Sequence, residues 1–77
     1  MNYERLNDLR LLGLTIAYYR RAKGMTQAEH AEAVHIRRTH MSNIEAPNSH
    51  TSLSLNKLMD IAEALEIPLK TLFDFKR

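Results

Sequence analysis

Seventy-seven residues, with 11 Lys and Arg against 9 Asp and Glu and no cysteine, bound the possibilities before any motif is read. A chain this short builds one small core with no room for a substrate cleft; the lack of cysteine excludes a disulfide framework or a thiolate metal site and points to a reducing cytoplasm. No apolar run approaches a membrane span, the first residues have no signal-peptide character, and the net charge of +2 hides a segregation that matters more than its size.

The first helix is expected to begin between Asn2 and Asn7 and to run to Lys23, with Leu6, Leu9, Leu12, Gly13, Ile16 and Ala17 on its buried side and Gly24 as its stop. Of the adjacent Tyr18 and Tyr19, one is expected in the core and the other free to reach a phosphate through its hydroxyl. Thr26 then offers an N-cap oxygen and Glu29 completes a capping box, so a second helix starts at Gln27. It is too short to stand alone; Ala31 and Val34 share a side, and Ala31 is small enough for another helix to come close. A third helix runs from about Arg38 to Glu45, with Met41 and Ile44 together on its wheel and Arg38, Thr39 and Asn43 roughly opposite. Two short helices joined by a tight turn, the second with a basic, polar outer face, form a helix-turn-helix and point to DNA. Arg bonds the O6 and N7 of guanine, Asn the N6 and N7 of adenine, and Thr offers a hydroxyl and a methyl, so Arg38, Thr39 and Asn43 are the candidates for base readout.

Pro47 prevents that helix from continuing, and Asn48, Ser49, His50 and Thr51 carry groups able to bond phosphate, although a loop that only solvates would look the same. Ser54 can cap a fourth helix whose stripe is Leu55, Leu58, Met59, Ile61, Ala62 and Leu65. Pro68 can open a fifth, and Leu69, Leu72, Phe73 and Phe75 give that last segment more apolar surface than one short helix needs for docking. Acids are absent from Arg10 through Ala28, and from Ala33 through Met59 Glu45 is the only one; Asp60, Glu63, Glu66 and Asp74 collect afterwards. Such segregation favours a DNA surface over a plain solvated face. A lone carboxylate in a basic segment calls for a structural partner, so Glu45 reads as a clamp and not as a catalyst.

Met25 to Glu45, with Leu12 to Ile16 and Arg20 before it and Leu58 to Leu69 after it, resembles the Cro/C1-type (XRE family) helix-turn-helix over nearly the whole chain. The resemblance implies an all-α fold, a compact five-helix, lambda-repressor-like DNA-binding domain spanning 1–77, with its core at 12–73, residues 1–11 extending helix 1, and the motif at helices 2 and 3. It implies Gln27 beside a phosphate, Ala31 in the helix crossing, Ile36 in the core, and an ion pair between Arg20 and Glu45 that clamps two helices. Arg37 and His40 are the further phosphate candidates, together with Asn48, Ser49, His50 and Thr51, whose loop grips the DNA backbone in similar proteins. As in similar repressors, part of Leu69, Leu72, Phe73 and Phe75 is expected to form a two-fold dimer contact. Such a dimer sets two recognition helices roughly 34 Å apart and favours a palindromic operator.

Three positions depart from the family pattern. His30 stands where a buried Leu is usual and is expected to lie partly buried, with one ring nitrogen reaching water or a carbonyl. His35 stands where the turn wants a left-handed Gly, which predicts a longer or strained turn. Arg37 occupies the N-cap of the recognition helix without an acceptor, giving up about 1 kcal/mol and setting positive charge at the positive end of the helix dipole; a DNA phosphate would relieve that repulsion.

The leading functional reading is a sequence-specific transcriptional regulator, foremost a repressor, cytoplasmic and nucleoid-associated, of bacterial or phage origin, binding double-stranded DNA as a homodimer without a cofactor. The alternative is an antitoxin that neutralises a protein toxin and represses their shared operon, although no toxin-binding tail is evident after the fifth helix. No metal is expected, because His30, His35 and His40 recur every five residues and so do not share a helical face. Nor is catalysis: there is no glycine-rich phosphate loop and no nucleophile with a base beside it.

Overall fold

The computed structural model describes residues 3–47 and 52–74. Every regular element among them is helical: α1 (Tyr3–Ala22), α2 (Gln27–Ala33), α3 (Arg38–Glu45), α4 (Leu55–Ala64) and a closing 3-10 turn (Leu69–Phe73). The starts follow local chemistry. Thr26 accepts from the Glu29 backbone N–H at 3.0 Å while the Glu29 carboxylate accepts from the Thr26 N–H at 2.8 Å, and Ser54 accepts from the Lys57 N–H at 3.0 Å. The expected fifth α-helix is the 3-10 turn instead. Pro68 precedes it in an extended conformation (ψ 146°), and three residues per turn bring Leu69 and Leu72 to the same, inward side.

Three helices stop in the same way. Gly24, His35 and Glu66 follow α1, α2 and α4 in the left-handed region, with φ of 81°, 60° and 58°. Their N–H groups donate to Arg21, Glu32 and Glu63, and the next residues, Met25, Ile36 and Ile67, donate to Arg20, Ala31 and Ala62. These are Schellman closures, in which the residue after the left-handed one tucks its apolar side chain back; Met25, Ile36 and Ile67 all pack against the core. The turn between α2 and α3 is therefore not lengthened. His35 itself takes the left-handed conformation, at a cost of about 1–2 kcal/mol for a residue with a Cβ.

The core gathers Ile16 of α1, Ala31 and Val34, Met41 and Ile44 of α3, Leu58, Ile61, Ala62 and Leu65, and Leu72. Leu55 and Met59, expected in the α4 stripe, are 60% and 49% exposed, because the docking face is set by Leu58, Ile61, Ala62 and Leu65 at helical spacing and the other pair falls beside it. Tyr19 packs on the core; Tyr18 is exposed, its ring edge-on to Tyr19 at 5.0 Å. His30 does not reach water as expected. It is wholly buried, among the described residues neither ring nitrogen has a hydrogen-bond partner, and α4 covers this side of α2 with the Ile61 backbone beside the ring.

Gly13 is where α1 crosses the end of α3. A Cβ there would lie 2.3 Å from the Ile44 carbonyl oxygen, a backbone atom that cannot swing aside. Gly→Ala inside a helix ordinarily gains about 1 kcal/mol. Here Gly13→Ala is expected to lose about 1–3 kcal/mol through overpacking, read as a lower urea midpoint at unchanged slope.

Candidate nucleic-acid interface

The helix-turn-helix is assembled by burying one side of α3 and leaving the other to solvent. Met41, Ile44 and Glu45 are buried; Arg38, Thr39 and Asn43 are exposed, as is Arg37 at the cap, while His40 and Ser42 are half-buried. The three base-readout candidates thus share one open face. Among the described residues neither the Arg37 nor the Arg38 side chain has an ion pair or hydrogen bond, so neither guanidinium is tied to a described partner. The first turn of α3 holds no acid, and Arg37 makes no side-chain cap, which leaves the N-terminal backbone donors of α3 pointing toward the same surface.

Behind that face lies a buried polar joint. Arg20 of α1 donates from Nε to Glu45 Oε2 at 2.8 Å and from Nη2 to Oε1 at 3.1 Å, a bidentate pair with both side chains nearly inaccessible. Its third nitrogen, Nη1, donates to the Met25 carbonyl at 2.7 Å. Gln27 Nε2 donates to Glu45 Oε1 at 3.0 Å. One carboxylate at the C-terminal end of α3 therefore holds both α1 and the first residue of α2, while Arg20 holds the turn between them. The joint fixes the angle at which the open face of α3 is held, because a satisfied buried network admits few alternative geometries.

The helix-turn-helix family is matched over residues 16–72. The chain belongs to the Cro/C1-type helix-turn-helix (XRE) family. Members of this family are DNA-binding transcription regulators, and neither family nor fold is that of an enzyme. Among solved structures, SinR, described as the master regulator for biofilm formation and crystallised in complex with DNA, is similar with a TM-score of 0.74 and 32% identity, the match covering 82% of this chain and 98% of SinR's. A comparison with curated proteins gives no match.

Within this Cro/C1-type domain two connections were not legible in the sequence. Gln27 bonds the buried joint through one amide hydrogen, leaving its second for another acceptor; the signal was its place at the first position of a helix whose neighbour ends in a lone Glu. Lys57 Nζ donates to the Val34 carbonyl at 2.7 Å, capping α2 from α4 across a separation of 23 residues with no local signal at all. One site assignment is corrected. Leu72, expected at a dimer contact, is 0% exposed and belongs to the domain's own core, so it has no surface to offer a partner. Leu69 is half-buried against that core and Phe73 is 46% exposed. Asn48, Ser49, His50, Thr51 and Phe75 lie outside the described residues. No helix among the described residues is long and apolar enough to cross a membrane.

Proposed function

We propose that this chain binds double-stranded operator DNA in a sequence-specific manner through α3, as a homodimer, and acts as a repressor by occupying its site. The observation that carries this reading is the open face of α3, where Arg38, Thr39 and Asn43 stand exposed together over a joint that fixes their orientation. The DNA complex of SinR, which shares the fold at 32% identity, supports it. Arg38, Thr39 and Asn43 read bases in the major groove. Gln27, Arg37 and His40 meet phosphates, as do Asn48, Ser49, His50 and Thr51 in the loop that follows. Leu69 and Phe73 supply the two-fold contact.

The test is to incubate the protein with sheared genomic DNA near physiological salt and sequence what is retained, so that non-specific sites compete. One inverted repeat is expected. Retention without a preferred sequence, or none, would move the function to a protein partner such as a toxin. On the repeat, Arg38→Ala and Asn43→Ala are each expected to cost about 1–3 kcal/mol and to relax preference at one base pair. Arg37→Ser restores a cap acceptor, so stability rises by about 1 kcal/mol while affinity for all sequences falls alike. A sequence-selective loss would contradict the phosphate role.

A further inference from the structure

α1 is apolar on two sides, and only one of them is used by the fold. Gly13, Ile16, Ala17 and Arg20 face the core. On the opposite side of the helix, at alternating spacings of three and four residues, run Glu4, Asn7, Leu11, Leu14, Tyr18 and Arg21. Leu14 is 44% and Tyr18 64% exposed, Glu4 and Arg21 are exposed, and Asn7 and Leu11 are half-buried. Glu4, Asn7, Leu11 and Leu14 all precede residue 16, where the family match begins.

We propose that the outer stripe of α1 is a self-association surface whose occupant is the α1 of a second copy, laid antiparallel. The charge pattern selects both the partner and the direction. Read forwards, the stripe runs acid, amide, Leu, Leu, phenol, base; reversed against itself, Leu11 meets Leu14 of the second copy, Asn7 meets Tyr18, and Glu4 meets Arg21, each contact occurring twice about the two-fold axis. A parallel pair would instead oppose Glu4 to Glu4 and Arg21 to Arg21, like charges at both ends. A foreign helix has no reason to fit a stripe that is complementary to itself. No residue of the stripe belongs to α3 or to the closing turn, and the proposal stands whether or not the chain binds DNA.

The experiment is analytical ultracentrifugation of the full chain without DNA over a wide concentration range, with circular dichroism to check that each variant folds. Association is expected for the wild type. Leu14→Glu, which sets a charge at the centre of the seam, is expected to weaken it at least about tenfold. Arg21→Glu alone and Glu4→Arg alone are each expected to weaken it, and the double variant Glu4→Arg/Arg21→Glu to restore it, an outcome that a merely structural role for either residue would not give. A wild type that stays monomeric, an association lost with Phe73→Ala but indifferent to Leu14→Glu, or a double variant no better than the single ones overturns the proposal.

Discussion

Glu45→Ala is expected to remove about 3–5 kcal/mol of folding stability, because it leaves the Arg20 guanidinium buried without its counter-charge. The carboxylate accepts three hydrogen bonds, two from Arg20 and one from Gln27, and the truncation orphans all three donors at once. Against a total of about 5–15 kcal/mol for a small domain, the variant should sit near the edge of unfolding, readable by urea titration. Replacing both partners separates the value of the pair from the penalty of breaking it. Arg20→Met/Glu45→Leu is expected to recover most of the stability, since a well-packed apolar pair is often as good as a buried ionic one. Its DNA affinity should remain below wild type, because the bidentate geometry that orients α3 is gone while the open face of Arg38, Thr39 and Asn43 is untouched. A loss below about 1 kcal/mol for Glu45→Ala would mean that water reaches the pair and that it behaves as a surface bridge.

What was legible in the sequence was whatever local chemistry decides. Thr26 with Glu29, Ser54 and Gly24 punctuate the chain through bonds to residues three positions away, and the starts of α2 and α4 and the stop after α1 fall where those signals put them. The division of α3 into a docked and an open side follows from helical spacing alone, which is why Arg38, Thr39 and Asn43 could be grouped before any fold was known. What stayed hidden depends on neighbours remote in sequence. Glu66 does not look like a left-handed residue, yet the docking of Ile67 into the core forces the chain to turn there; at His35, where a longer or strained turn is expected, the docking of Ile36 selects the strained one. Leu55 and Met59 have the right spacing for a buried stripe, and only the position of α2 and the closing turn decides which side of the stripe faces inward. Surplus apolarity and the resemblance to similar repressors put Leu72 among the dimer candidates, whereas the tighter 3-10 winding carries it into the core. Gly13 gave no hint that a backbone oxygen of α3 would lie against it.

His30→Leu is expected to stabilise the domain by about 2–4 kcal/mol, since two buried nitrogens without partners each forgo their hydration and Leu fills a similar space with none to lose. The gain should grow as the solution is acidified. Burial holds the imidazole below the usual histidine range; the charge of Arg20 adds to this, while the Ile61 backbone and Glu45 work against it. In the unfolded chain His30 binds a proton below about pH 6.5. Between that value and its lower folded pKa the unfolded state holds more protons than the folded one, so stability is full above the unfolded pKa and declines as pH falls through it. The wild type should therefore lose stability from about pH 7.5 to 5.5 faster than His30→Leu does, with His35, His40 and His50 present in both proteins and cancelling in the difference. Urea titrations of the two at a series of pH values give that difference directly. A gap that stays constant with pH would mean that His30 takes up its proton equally well in both states, contrary to the penalty that burial sets on the charged ring; a gap that shrinks on acidification would mean that the folded state binds the proton more tightly.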